Sequence, residues 1–316
     1  MKRFIFKPSS LEGQSHAATA TLTRSGELLA AWYTGAFEGA PGQAIYLSRF
    51  DGESWSKPQQ VVAVKGLAAG NPVLHLHDDG SIWLFYVLRL GDSWATCKIL
   101  YKVSEDDGYS WSNPITLVEE LGYMTRNPPI QVKERLILPI YDERDWSSLM
   151  LISEDSGETW RFSGRIASPY GVIQPALVLL KDRLIAYMRP RRGCRALASF
   201  SLDYGDTWSE PIQTELRNPN SALAVTAFGR GLLLAAYNDS CTKRTPLSLS
   251  LSGDAGITWR KVKDLETGEG EYSYPTIVKS RGKVYNLFYT YKRETIAHVI
   301  FDEEWLLKPS TPNLRK

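Results

Sequence analysis

An octapeptide of the form S-x-D-x-G-x-[ST]-W occurs four times in this chain of 316 residues. The copies are 104–111 (SEDDGYSW), 153–160 (SEDSGETW), 201–208 (SLDYGDTW) and 252–259 (SGDAGITW), starting 49, 48 and 51 residues apart. A degraded fifth copy, 48–55 (SRFDGESW), has its Asp one place late. A period of this length marks an array or a propeller, because one such unit cannot bury its own apolar face. Each residue type in the octapeptide has a mechanical role. The Asp accepts bonds from nearby backbone amides and fixes a tight turn. The Gly supplies a positive φ. The Trp is expected to bury roughly 150–250 Å² against its own repeat. The octapeptide therefore reads as a hairpin clasp that carries no chemistry.

A second repeat gives an independent count. A turn residue followed by an apolar run ending in an aromatic occurs six times: 26–33 (GELLAAWY), 80–86 (GSIWLFY), 134–141 (ERLILPIY), 182–187 (DRLIAY), 231–237 (GLLLAAY) and 282–289 (GKVYNLFY). Runs this short and apolar suit strands buried on both faces. Ahead of them stand Asn71-Pro72, Asn127-Pro128, Gln174-Pro175, Asn218-Pro219-Asn220 and Tyr274-Pro275, with His16-Ala17 in the same place in the first repeat. Proline is tolerated at a strand start, where its missing N–H falls before the ladder. Each repeat thus reads as four strands, and six repeats make an all-β, six-bladed β-propeller over residues 1–316 as a single domain. The sixth unit lacks a good clasp, Asp302 to Trp305 being only a relic of one. Its missing strand is expected from Phe4-Ile5-Phe6, which would close the circle.

Composition narrows the partners. A net charge of +2 and a pI near 8.3 argue against nucleic acid or an anionic membrane. No stretch of eighteen apolar residues exists to span a bilayer, and the opening MKRFIFKPSS lacks the apolar core of a signal peptide. Cys97, Cys194 and Cys241 are odd in number and lack metal-ligand spacing, so they read as reduced thiols of a cytoplasmic protein with no metal and no cofactor. Oligomeric state is not legible.

Alternating strand direction sorts side chains by face. Opposite the clasps, His16, Asn71, Asn127, Gln174, Asn220 and Tyr274 gather about the axis. Around them lie loops with Glu38, Arg89, Asp142, Glu143, Arg144, residues 189–195, residues 238–244 and Arg293. Polar groups converging on a narrow funnel make a small-ligand site by default. The plain alternative is that these residues only cap strand ends.

The clasps resemble the Asp boxes of the sialidase (neuraminidase) superfamily, in particular its bacterial branch of BNR-repeat proteins. The resemblance extends over nearly the whole chain. The stretch 238–259 (NDSCTKRTPLSLSLSGDAGITW) is similar to the one holding the third arginine of the sialidase carboxylate-binding triad, which places that arginine at Arg244. Glu271-Tyr272-Ser273 is similar to the segment with the nucleophilic tyrosine, which implies Tyr272. Arg195 is the best match to the second triad arginine, with Arg191 or Arg192 as alternatives. The departures are as informative. The place of the first arginine reads Ser15-His16-Ala17, the catalytic aspartate has no counterpart but for nearby Glu38, and the glutamate that polarises the tyrosine is replaced in Gln174-Pro175.

The resemblance implies an exo-acting, retaining glycoside hydrolase that removes a terminal, acidic sugar from a glycan. Such chemistry needs a nucleophile and an acid/base on opposite sides of the anomeric carbon. Tyrosine avoids placing an anionic nucleophile against the sugar's carboxylate, but its pKa near 10 requires help from a base or cations. Arginine suits the carboxylate because its fork binds in two places. The candidates are Tyr272 as nucleophile, Glu38 as acid/base, and His16 as a substrate contact or alternative acid. Glu38 or Glu143 would assist the tyrosine, and Arg244, Arg195, Arg191, Asn71, Asn127, Gln174 and Asn220 would bind substrate. A non-catalytic carbohydrate-binding propeller and a lyase of uronic-acid polymers remain as other readings.

Overall fold

A computed structural model describes residues 1–308, apart from 182, 230 and 281. Asp182, the expected turn residue of the fourth apolar run, lies outside the described residues. Six antiparallel sheets follow one another along the chain, one for each repeat. The first is built from Gln14–Leu22, Leu28–Gly35, Ala44–Phe50 and Gln59–Val62, each strand bonded to the next. The third sheet has five strands, because its innermost strand is split into Tyr123–Thr125 and Ile130–Val132 around Pro128 and Pro129. The sixth is completed by the N-terminus: Lys2–Phe4 pairs antiparallel with Thr295–Asp302, with Phe4 opposite Ala297. The Ile5 N–H still donates to the Ile296 carbonyl at 3.0 Å, and the Ile5 and Phe6 side chains go into the core against Trp32 and Phe288.

The apolar runs are the second strands of the blades, and they are buried as expected; Trp32 and Tyr33 are 0% and 1% exposed. Apolar clusters join the strands of neighbouring blades, as where Phe85 and Val87 of one blade meet Leu138 and Ile140 of the next. The one α-helix among the described residues, Glu303–Leu307, is capped by Asp302, whose carboxylate accepts from the Trp305 N–H at 2.7 Å. Asp302 to Trp305 is thus a helix cap and not a degenerate clasp.

The clasps hold their turns as the sequence suggests. In 153–160, Asp155 accepts from the Thr159 N–H at 2.9 Å, and Ser153 donates to Asp155 while accepting from the Gly157 N–H. These bonds to the charged form hold the Asp155 pKa down at about 2, led by the Thr159 hydroxyl. The tryptophan packs on the preceding blade as well as on its own, where Trp160 donates to the Gly157 carbonyl at 3.0 Å. Trp160 meets Phe85 edge-on at 6.3 Å, and Trp259 meets Tyr187 at 5.8 Å. The glycine serves the same junction. A Cβ on Gly157 would lie 2.5 Å from Trp83, and one on Gly108 would lie 2.7 Å from Leu29. The octapeptide is therefore a joint between blades as well as a hairpin clasp. Trp160→Ala is expected to lower unfolding free energy by about 2–5 kcal/mol through the cavity it leaves, with turnover per folded molecule unchanged. A denaturant midpoint equal to wild type would contradict this.

A further regularity positions the site. The first strands of four blades shift register near their start, between His16/Thr19, Gly70/Val73, Ile173/Ala176 and Ser273/Thr276. Ala17, Asn71, Gln174 and Tyr274 sit in these bulges at φ of 56°, 43°, 58° and 56°. A bulge gives the strand an extra residue and re-aims side chains that regular alternation would send elsewhere. Ala17, not His16, therefore matches the residue before proline in the other blades.

Cys194 and Cys241 form a disulfide with Cα atoms 4.7 Å apart, and Cys97 is free and buried. The bond ties the loop after Pro190 to the loop that carries Arg244. The reading of all three as reduced thiols is corrected, and the cytoplasmic expectation loses the support it took from them. Separation in sequence hid the pair; the adjacent blades bring the two loops together.

Candidate functional site

The bulged residues and the ends of the second strands converge on one face near the axis. Asn71 Nδ2 donates to the Tyr141 hydroxyl at 3.1 Å, and Gln174 Nε2 reaches the same oxygen at 3.3 Å. Gln174 Nε2 also lies 3.4 Å from the Tyr274 hydroxyl. Arg189 closes the chain: Nη1 donates to Tyr274 at 2.6 Å and to Gln174 Oε1 at 3.1 Å. The His16 ring lies against Tyr274, centroids 4.2 Å apart, and the Arg244 guanidinium stands 5.3 Å from the Tyr274 ring. Burial works against ionisation of Tyr274, but the charges of Arg189 and Arg244 outweigh it and hold the phenol below its ordinary pKa. Its neighbours behave oppositely. Burial pushes Tyr33 and Tyr141 well above the ordinary value. Of these three phenols, Tyr274 alone is held below its ordinary value.

Tyr272 does not join it. Its hydroxyl donates to the Glu269 carbonyl at 3.1 Å, its ring packs on Tyr291, and burial raises its pKa. Regular alternation would put 272 and 274 on one face. The bulge at Tyr274 breaks that period and sends the two rings apart.

Arg195 is likewise turned away; it is exposed and donates to the Glu215 carbonyl at 2.7 Å. Arg189, six residues earlier and 8% exposed, stands at the tyrosine instead. Arg191 stays on the rim, 5.1 Å from the Trp146 ring. Asn127 ties blades together by donating to the carbonyls of Gln174 and Pro175. Asn220 has a buried Oδ1 with no partner among the described residues.

The carboxylates form a second layer. Glu271 Oε1 accepts from Arg244 at 2.7 Å and Oε2 accepts from Arg293 at 2.9 Å. Arg293 also donates to Glu38 at 2.7 Å. Glu143 has its pKa raised, chiefly by burial and also by Glu38, against the pull of Arg189. His16 is fully buried; Nδ1 meets the Thr290 hydroxyl at 2.8 Å, and Nε2 has no partner among the described residues. Burial first, then Arg293, Arg244, Arg126 and Arg189, drive its pKa well below 6.5, so the imidazole is neutral. It cannot stand in electrically for an arginine.

Beneath the site, Arg126 is 1% exposed and donates to the carbonyls of Ala18, Tyr274 and Pro275 at 3.3, 2.8 and 3.3 Å. A cavity of about 530 Å³ beside the group is lined by Lys243, Arg244, Gly268 and Glu271 among others. A larger cleft, about 910 Å³, opens at the other ends of the strands, among Arg24, His77, Asp79 and Ser280, and holds none of these groups. Among the described residues, no cluster of His, Cys, Asp and Glu is arranged to hold a metal.

Comparison with known proteins agrees with this architecture. The family described as BNR repeat-like domain matches residues 26–286. A sialidase of Bacteroides fragilis is 22% identical over 232 residues, which are 65% of this chain and 41% of that protein. The anhydrosialidase of Macrobdella decora is 24% identical over 186 residues, 54% of this chain and 23% of that protein. The chain thus spans less than half the length of both curated relatives. Among solved structures, a Hadza microbial sialidase superposes with a TM-score of 0.83 at 18% identity, over 96% of this chain and 69% of that one.

Proposed function

The chain belongs to the BNR repeat-like domain family, and on that premise we propose that it is a sialidase-type exo-glycosidase in which Tyr274 is the attacking group. One observation carries this reading: a buried phenol, its pKa lowered by two arginines, with Arg189 bonded to its oxygen at 2.6 Å. A tyrosine kept only for packing has no need of either arginine.

The steps follow from the groups present. Tyr274 attacks the anomeric carbon as the phenolate, its proton given up to solvent before the sugar binds and its charge held by Arg189 and Arg244. The leaving oxygen takes a proton from Glu143, the carboxyl whose proton affinity burial raises. Water then gives that proton back to Glu143 and attacks the same carbon, freeing Tyr274 with overall retention. Glu38, the acid/base candidate suggested by sequence, is engaged by Arg293 and shapes the charge around the sugar.

A fluorogenic glycoside panel tests the activity, and NMR of the first-formed anomer tests retention. Ligand binding without turnover on every glycoside would overturn the hydrolase in favour of a binding propeller. The proton donor is separable from other carboxylates by leaving-group dependence. Glu143→Gln is expected to lose about 10²–10⁴-fold on poor leaving groups and far less on a dinitrophenyl glycoside. Glu38→Gln showing that pattern, with Glu143→Gln lacking it, would transfer the role to Glu38.

A further inference from the structure

We infer that Glu271 is a built-in occupant of the anion cradle, so that the sugar bound beside Tyr274 carries no carboxylate of its own; this rests on the glycosidase reading above. Both oxygens of Glu271 are engaged. Oε1 accepts from Arg244 at 2.7 Å and from the Ser273 hydroxyl at 2.6 Å, and Oε2 accepts from Arg293 at 2.9 Å. Two arginines on different blades thus close on one internal carboxylate, the arrangement an acidic ligand would itself require. The same Oε1 lies 3.8 Å from His16 Nδ1, and the neutral imidazole offers no further charge.

The other arginines at Tyr274 are engaged differently. Arg189 uses Nη1 on both Tyr274 and Gln174, and Arg293 gives its other contact to Glu38 at 2.7 Å. Arg244 and Arg293 therefore face Glu271 and Glu38, and a substrate carboxylate would have to compete with these internal carboxylates for both arginines. Bringing a sugar carboxylate into this group sets like charges side by side in a half-buried site, where their repulsion is screened less than in open water. Displacing Glu271 instead leaves that carboxylate to find new partners.

The inference also accounts for tyrosine as the attacking group. A phenol is preferred to a carboxylate nucleophile where a negative charge already stands beside the reacting carbon. Glu271 supplies that charge from the protein, next to Arg244 and within the same cluster as Tyr274. The sequence argument for tyrosine then holds with the charge moved from ligand to enzyme.

Calorimetry with N-acetylneuraminic acid and its methyl ester tests this without needing turnover. Wild type is expected to bind the acid no more tightly than the ester. Glu271→Gln vacates the charge while keeping the shape, and should favour acid over ester by about tenfold or more, equivalent to roughly 1.4 kcal/mol. Glu271→Asp keeps the charge and should keep the wild-type ranking. On 4-methylumbelliferyl glycosides, wild type should prefer neutral sugars over sialosides and uronides, and Glu271→Gln should narrow that ratio. Acid binding at least tenfold tighter than ester in wild type, or an acid-to-ester ratio unmoved in a folded Glu271→Gln, overturns the inference. Should Glu271→Gln not fold, the wild-type ratio decides alone. Failure of the glycosidase reading is distinct: it shows as absent turnover on every glycoside, whatever the binding ratio.

Discussion

Tyr274→Phe is expected to reduce turnover by about 10³-fold or more while leaving the fold and ground-state binding nearly intact, the pattern of a group whose contribution is confined to the transition state. Only one oxygen is removed. That oxygen receives Arg189 at 2.6 Å and lies 3.4 Å from Gln174 Nε2; without it Arg189 keeps its bond to Gln174 Oε1 at 3.1 Å and the ring keeps its packing on His16 at 4.2 Å. The paired control is Tyr272→Phe, which loses a single bond to the Glu269 carbonyl. It should cost about 1 kcal/mol of stability and leave turnover within about a factor of two. Equal activity for Tyr274→Phe and wild type on a glycoside that the protein cleaves would remove the mechanism, and a large loss in Tyr272→Phe would restore the sequence-based assignment.

The contrast between the two tyrosines shows where sequence reasoning reaches its limit. Blade number, the buried second strands, the clasp turns and the closure by the N-terminus all follow from periodicities of two kinds, alternation within strands and repetition of about fifty residues. Those signals are local or regular, so they survive in a single sequence. The site is built from departures from regularity. Tyr274 reaches the axis because it occupies a left-handed bulge position, at φ 56°. Its neighbour two residues earlier, which matches the family segment better, is aimed elsewhere. The residue before proline was the visible trace of that bulge, and it placed Asn71, Gln174 and Tyr274 correctly on one face.

The arginines were misread for a related reason. The resemblance was sought in the loop, at Arg191, Arg192 or Arg195, whereas the residue at the tyrosine is Arg189, still within the second strand Arg183–Pro190. Tyr33 and Tyr141 ended apolar runs and passed for core aromatics; their hydroxyls face the site because they stand at the strand ends. Glu271 adjoins Tyr272 on a strand and so points to the opposite face, and that is the side on which the site lies. No pattern in the sequence marked Arg126, since its partners are the carbonyls of Ala18, Tyr274 and Pro275, contributed by residues at distant places along the chain.

Arg126 carries the second large expected effect. It is a cation 1% exposed with no carboxylate within ion-pair distance among the described residues, which is costly unless its donors are well used. Nη1 and Nη2 are used across the axis, on the first strands of the first and sixth blades, Nε has no partner among the described residues, and the guanidinium stands 5.1 Å from the Tyr274 ring. Arg126→Met removes the buried charge, which favours folding, but strands the carbonyls of Tyr274 and Pro275 against a thioether. The Ala18 carbonyl keeps a bond from the Thr276 hydroxyl at 2.9 Å. With about 1–3 kcal/mol for each unsatisfied buried group, the loss of partners outweighs the relief of charge, and we expect a net destabilisation of about 2–4 kcal/mol in denaturant unfolding. Turnover should fall as well, because the bulge that aims Tyr274 is held by the carbonyl that Arg126 binds at 2.8 Å. Arg126→Lys keeps the charge yet cannot span the same carbonyls, so it should resemble the methionine variant in stability. A lysine variant as stable as wild type would show that charge alone is what the axis requires; a methionine variant with unchanged stability and turnover would show that the bulge at Tyr274 holds itself.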